Sequence, residues 1–343
     1  MSARDSVTLP PAFHVVPGTV VTTLLESDPN AVFDAVATGY RLHCEGSSIN
    51  PDSYFLRFAD KPRDRIIALP AYLGGDIDLA GIKWISSFPG NRTAGLDRAS
   101  AILVLNDYAT GYPVACLEGA AISATRTACL AAQAAEALGS ARSGTLALIG
   151  TGRIARATLA WLLHRKWSFE SVRLFDLDVE AAARCAEWIR GTLGCPVHIA
   201  GDATTAMAPS TLVVLATTAG EPHLDDARAF AANPTVLHLS LRDISTARIL
   251  ESQNIVDDVH HSLKAHTSLH RAELEVGTHA FVAGTLQDII AGRIAPDPTR
   301  PRLFSPFGLG ILDIALGAMI WRRAVERGLA IEIPGFFVPA AFD

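Results

Sequence analysis

The stretch that most restricts what this chain can fold into is LALIGTGRIARA, residues 146–157. An apolar run meets Gly150-x-Gly152-x-x-Ala155 and continues with helix-forming residues. This is the signature of a strand that turns sharply into a helix in a dinucleotide-binding fold. Gly150 permits the tight turn, Gly152 lets backbone approach a pyrophosphate, and Ala155 lets helix pack on strand, with the helix N-terminus facing the phosphates. Thr151, Arg153 and Ile154 complete the turn. The next strand-like run, SVRLFD, ends in Asp176, close to the ~20-residue spacing expected of an acid that binds ribose hydroxyls. An acid there repels a 2′-phosphate, so the expected cofactor is NAD rather than NADP. The same turn also occurs as a plain strand–helix joint in doubly wound domains that bind nothing.

Around this motif the chain changes character. Up to residue 142 it reads as a helix, PNAVFDAVATGYRLHCEG, then short strands: SYFLRFAD, RIIALPAYLGG, GIKWISSF, SAILVLND and VACLEG. NDYATGYP supplies a hairpin connection, and the alanine-rich AAISATRTACLAAQAAEALGS supplies a long helix. From residue 143 to 305, strands and helices alternate, which implies a parallel sheet with helices on its faces. The last helical stretch, GLGILDIALGAMIWRRAVERGL, follows the proline-rich APDPTRPRLFSP. The expected fold class is therefore α/β. A Rossmann domain at 143–305 is joined to a discontinuous α+β substrate-binding and dimerisation domain made of 1–142 and 306–343.

Bulk properties exclude several classes. A length of 343 residues favours two lobes. The net charge of −6, without a basic block, argues against nucleic acid as partner. No apolar run approaches the ~20 residues of a membrane helix, and the N-terminus lacks a signal-peptide core. The five scattered cysteines form no C-x-x-C pair, so the expected setting is reduced and cytoplasmic.

Two cations sit where cations are costly. Arg126 lies on the alanine-rich helix, and Lys83 lies between Ile82 and Trp84 in a strand. Arg126 either joins an interlobe salt bridge or binds an anion. Lys83 either snorkels from an edge strand or enters a pocket. With these residues in view, GIKWISSFP, the span ASAILVLNDYATGYPVACLEGAAISATRTACLAAQAAEAL, LALIGTGRIA and SPFGLGILDIAL together resemble the ornithine cyclodeaminase/μ-crystallin family over nearly the whole chain. Within it, DRIIALPAYLGG, GIKWI and DRAS…LND look most like the branch that cleaves N-(2-amino-2-carboxyethyl)-L-glutamate, a source of 2,3-diaminopropionate for siderophores and peptide antibiotics. Ornithine cyclodeaminases typically continue the lysine strand as KYVNGHP, where this chain has KWISSFP.

The resemblance implies roles. Lys83 matches the family's substrate-site lysine, which also serves as a catalytic residue, and Arg126 its carboxylate-binding arginine. Arg57 matches a second carboxylate-binding arginine, and Asp243, in LSLRDIS, the catalytic aspartate. Thr217 and Gly308 fall among the cofactor-binding positions, Gly308 where the family closes on the nicotinamide. Arg65 and Arg98 are further cations without an assigned role. The implied reaction is NAD-dependent removal of hydride from the glutamate α-carbon, followed by hydrolysis of the imine. The implied partners are this small amino-acid conjugate and a second copy of the chain. Other family reactions remain open: ornithine cyclodeamination, ketimine reduction and alanine-type dehydrogenation. So does a crystallin-like protein that binds nucleotide without turnover. His260, His261, His266 and His270 lack the H-E-x-x-H order, and a solvated helical face is expected there rather than a metal site.

Overall fold

The computed structural model describes residues 10–139 and 142–338. The chain divides into two compact units, Met1–Arg126 with Leu309–Asp343, and Thr127–Gly308. The division falls within the helix Ala120–Ala137.

The second unit holds an eight-stranded sheet in which every pairing between strands is parallel. Its order is Val197–Ile199, Ser171–Phe175, Thr145–Ile149, Leu212–Leu215, Thr235–His238, Arg302–Ser305, Gln253–Val256 and Val282–Thr285. Val, Leu and Ile dominate these strands; Leu212–Leu215, Thr235–His238 and Gln253–Val256 are buried along their whole length and Thr145–Ile149 from Leu146 on, as a sheet covered on both faces requires. The expected α/β class and parallel sheet are thus present. Strand order reverses beside Thr145–Ile149, where the chain passes to opposite sides of the sheet. Such a switch point is where open α/β sheets bind ligands, outside the carboxyl ends of the strands.

The first unit is built on a mixed sheet. The strands Tyr54–Phe58, Lys61–Leu73, Leu79–Ser87, Ala101–Asp107 and Pro113–Glu118 pair antiparallel in that order. The C-terminal helix Gly310–Glu326 packs on one face of this sheet and on the helix Pro29–Cys44. That N-terminal helix opens with Pro29 in its first turn, and the Asp28 carboxylate caps it by accepting from Ala31 N–H at 3.1 Å. Register assigns the faces. The row Leu69, Lys83, Leu103 and Leu117 points toward the C-terminal helix, where Leu103 and Leu117 are buried. The opposite face carries the row Tyr54, Ala68, Trp84 and Ile102, of which Trp84 is 39% and Ile102 46% exposed. An apolar hollow of about 330 Å³, lined by Pro70, Tyr72, Ile82 and Asn106 among others, lies on this side. Lys83 points away from it.

No helix among the described residues is long and apolar enough to cross a membrane.

Candidate functional site

In the second unit, the carboxyl ends of five adjacent strands carry the chemistry. Gly150 follows Thr145–Ile149 with φ +81°, a left-handed value that favours glycine. A Cβ there would stand 2.6 Å from the Ala216 carbonyl oxygen, so both the conformation and the close approach demand glycine. The helix Arg153–His164 begins at Gly152, which offers no side-chain cap, and its first turn has no acid. Its leading N–H groups and the positive end of its dipole are therefore left for an anion. Asp176 closes the turn from the next strand. Its Oδ2 accepts from Thr151 N–H at 2.7 Å and from Thr151 Oγ1–H at 2.8 Å, while Oδ1 accepts from Asp178 N–H at 3.0 Å. A carboxylate has about four acceptor positions, so capacity remains for a ribose hydroxyl. These residues fit a dinucleotide.

Asp243 lies beyond the end of Thr235–His238 and is fully buried. Thr217 Oγ1 donates to its Oδ1 and Ser240 Oγ donates to its Oδ2. His238 Nε2 stands 3.3 Å from Oδ2, and His223 Nε2 stands 4.0 Å from Oδ1. Burial pushes the carboxyl up, but hydrogen bonding and charge from His238, with the two hydroxyls, outweigh it and bring the pKa to about 2. Leu241, two residues before, holds φ +70°, an uncommon and strained value for a residue other than glycine. Thr217, expected among the cofactor positions, is here a hydrogen-bond partner of Asp243.

Gly308 is held from beneath. It has φ +99°, and its N–H donates to Asp257 Oδ2 at 2.8 Å, while Phe307 N–H donates to Oδ1 at 2.9 Å. Burial raises the Asp257 carboxyl above its ordinary value despite these bonds.

In the first unit, Lys83 is 2% exposed. Its Nζ donates to Asp313 Oδ2 at 2.7 Å and to Ser123 Oγ at 3.0 Å. Arg126 Nε reaches the other oxygen, Asp313 Oδ1, at 3.4 Å. Two cations thus share one buried acid, leaving one formal positive charge for an incoming anion. Desolvation, then the Arg126 charge, lower the Lys83 pKa to about 8, against the opposing pull of Asp313. Arg57 does not join this cluster. It is exposed on Tyr54–Phe58, with its guanidinium 5.2 Å over the Phe55 ring.

The sequence reading missed Asp313, Ser123, His238, His223, Ser240 and Asp257. Asp313 alone left a trace, as an acid inside the apolar run GILDIALGAMI. The histidine expectation changes in detail. His266 lies outside the helix Ser268–Val276, in a left-handed conformation, with its ring stacked 5.4 Å from that of His270. Among the described residues, no group of three or more His, Cys, Asp or Glu side chains could hold a metal ion.

The chain is 27% identical over 315 residues to N-((2S)-2-amino-2-carboxyethyl)-L-glutamate dehydrogenase of Staphylococcus aureus, covering 88% of this chain and 92% of that one. It resembles the Thermococcus litoralis Delta(1)-pyrroline-2-carboxylate reductase solved with NADH and L-proline, with a TM-score of 0.85, 23% identity, and 94% of this chain and all (100%) of the other covered. An archaeal alanine dehydrogenase dimer with bound NAD matches with a TM-score of 0.82 at 22% identity, over 95% of this chain and 100% of that one. The family model describing ornithine cyclodeaminase and mu-crystallin matches residues 18–328. A glycine turn fit for a dinucleotide, a buried Lys–Asp–Arg cluster and a match over nearly the whole length converge: the chain belongs to the ornithine cyclodeaminase/mu-crystallin family.

Proposed function

We propose that the chain oxidatively cleaves N-(2-amino-2-carboxyethyl)-L-glutamate to 2-oxoglutarate and L-2,3-diaminopropionate. The broader class is that of an NAD-dependent oxidoreductase acting on a CH–NH bond of an amino acid. NAD⁺, when bound, supplies the hydride acceptor. Gly150, Thr151, Gly152, Arg153 and Ile154 hold its phosphates, Asp176 takes ribose hydroxyls, and Gly308 belongs to the nicotinamide end.

The observation that carries the reading is the pair Lys83 and Arg126 sharing Asp313. A buried site with one uncompensated positive charge suits a carboxylate, and the proposed substrate has three. Arg126 grips a carboxylate through the guanidinium nitrogens not engaged by Asp313. Lys83, with a pKa of about 8, is charged at neutral pH and loses its proton readily, so it can move a proton to or from the substrate nitrogen. Asp243 is ionised throughout the working range and too weak a base to keep a proton at pH 7. Its role is to orient the attacking water and hold charge beside His238 and His223. Lys83 is thereby the first candidate for acid–base work.

The protein acts as a homodimer. The uncovered face bearing Tyr54, Trp84 and Ile102 supports this reading, because a contiguous apolar face on a soluble chain favours burial against a partner.

The test is incubation with NAD⁺ and synthetic N-(2-amino-2-carboxyethyl)-L-glutamate, read by absorbance for NADH and by mass spectrometry for both products. NADH formation with 2-oxoglutarate and diaminopropionate in equal amounts is expected. No turnover of this compound alongside turnover of L-alanine or L-proline would move the chain to another reaction of the same family.

A further inference from the structure

Two histidines face the Asp243 carboxylate, and only one of them is placed to meet a ligand. His238 is fully buried, with Nε2 toward Oδ2 and Nδ1 3.1 Å from Ser305 Oγ, so both ring nitrogens are engaged inside the protein. His223 is exposed and directs Nε2 toward the other oxygen, Oδ1, at 4.0 Å. Among the described residues its ring has no second polar partner, which leaves Nδ1 for solvent or a ligand. Asp243 is itself fully buried, so the imidazole of His223 is the outward end of this pair.

The backbone fixes the arrangement. His223 N–H and Leu224 N–H both donate to the Asp243 carbonyl oxygen, at 2.9 and 2.8 Å, and Ser245 N–H donates to the Leu224 carbonyl at 3.1 Å. Leu224 and Ile244 form a parallel bridge, and both side chains are in the core. These bonds tie the two segments together, so the ring is held beside the carboxylate. Hydrogen-bond capacity agrees. Oδ2 accepts from Ser240 Oγ–H and faces His238, whereas Oδ1 accepts from Thr217 Oγ1–H alone. A carboxylate oxygen has about two acceptor positions, so the one still open lies on the oxygen that His223 faces. A separation of 4.0 Å is too long for a hydrogen bond, but catalytic bonds are often long in the resting enzyme and tighten once substrate is bound.

We infer that His223 is a catalytic acid–base residue, oriented by Asp243, that takes the proton of the water attacking the substrate imine. This rests on the oxidative cleavage proposed above and supplies the base that its hydrolytic half needs. With Nε2–H directed at Asp243, Nδ1 is the basic atom. Loss of hydride from the secondary amine leaves a protonated imine. The water oxygen bonds to the imine carbon, the C=N pair moves to nitrogen, and the water proton passes to His223. His223 then gives that proton to nitrogen as the C–N bond breaks with its pair, and takes the hydroxyl proton as the carbonyl of 2-oxoglutarate forms. Asp243, ionised at neutral pH, stabilises the imidazolium each time it appears. The other titratable or charged groups on the elements packed there are His238, Glu221 with its partner Arg271, and Asp225.

The experiment separates hydride transfer from hydrolysis. Single turnovers with NAD⁺ and the conjugate are followed by absorbance for NADH. Samples are quenched with borodeuteride, which returns unhydrolysed imine to a deuterium-labelled conjugate that mass spectrometry counts. His223→Ala is expected to form NADH within about twofold of the unmutated rate but to hydrolyse the imine ~10²-fold more slowly. Added imidazole is expected to restore hydrolysis in proportion to its concentration, which a merely structural role would not allow. His223→Gln, which keeps bulk without the base, should match the alanine variant. Hydrolysis at the unmutated rate, both steps slowed alike, or no rescue by imidazole overturns the assignment. If the unmutated protein leaves the conjugate untouched but oxidises L-alanine, whose imine is also hydrolysed, the same split and rescue with L-alanine keep His223 and remove the substrate. Hydrolysis of neither imine overturns both.

Discussion

Asp313 is the residue on which both cations of the first unit depend. Breaking a buried pair by removing one partner leaves an uncompensated charge and typically costs about 3–5 kcal/mol. Asp313→Asn should therefore lower thermal stability measurably. It should also move the alkaline limb of kcat/KM below pH 8, because Asp313 is the group that raises the Lys83 pKa. A limb that stays in place would show that it does not belong to Lys83. Linkage gives a further sign. The Lys83 pKa is depressed on folding, so between about 8 and 10.5 the folded chain sheds a proton that the unfolded chain keeps, and stability attributable to this group rises with pH across that window. Asp243, also depressed on folding, has the same sign in a lower window. Its contribution is present above 3.8 and lost as pH falls through about 2, so no acid limb of the rate between pH 4 and 8 can be its own. Asp243→Asn should lower kcat while leaving NADH binding, followed by fluorescence, within about twofold, because the glycine turn is untouched. Arg126→Ala should raise KM, and lower kcat too where the substrate is misplaced.

The strand–turn–helix around Gly150 was legible because its cause is local. A left-handed glycine, an uncapped helix start and a small residue against the strand all lie within six positions. Gly150→Ala should weaken NADH binding by tenfold or more and destabilise the fold by about 1–2 kcal/mol from the left-handed backbone alone, with the clash at Ala216 in addition. Fluorescence titration and thermal unfolding read the two effects separately. Asp176→Ala should let NADP⁺ compete with NAD⁺, since the repelling carboxylate is gone. It should also loosen the turn, because Thr151 loses both bonds to that carboxylate. What surrounds Asp243 and Lys83 was not legible, for a reason of distance along the chain. Asp313 meets Lys83 across 230 residues and Arg126 across 187. His238 sits only five residues before Asp243, yet nothing in LHLSLRD distinguishes a core histidine from one turned toward a carboxylate.

The complete chain shows where composition and periodicity inform and where they fall silent. Alternating β and α runs announced the parallel sheet, but alternation in the first unit could not say which of two apolar faces a helix would cover. Register settles that by sending Lys83 to the covered side and Trp84 to the other. Trp84→Glu with Ile102→Lys should yield a monomer in analytical ultracentrifugation; a dimer that survives both would place the interface elsewhere. The C-terminal helix has a consequence in time. Strands formed by residues 54–118 take their covering face from Gly310–Glu326, which a ribosome makes only after Thr127–Gly308. The intervening 182 residues, Thr127–Gly308, make up a compact unit of their own and can finish first. Those strands must then wait through the synthesis of that unit with Lys83 lacking its counter-charge and one sheet face bare, in need of shelter until Gly310–Glu326 arrives.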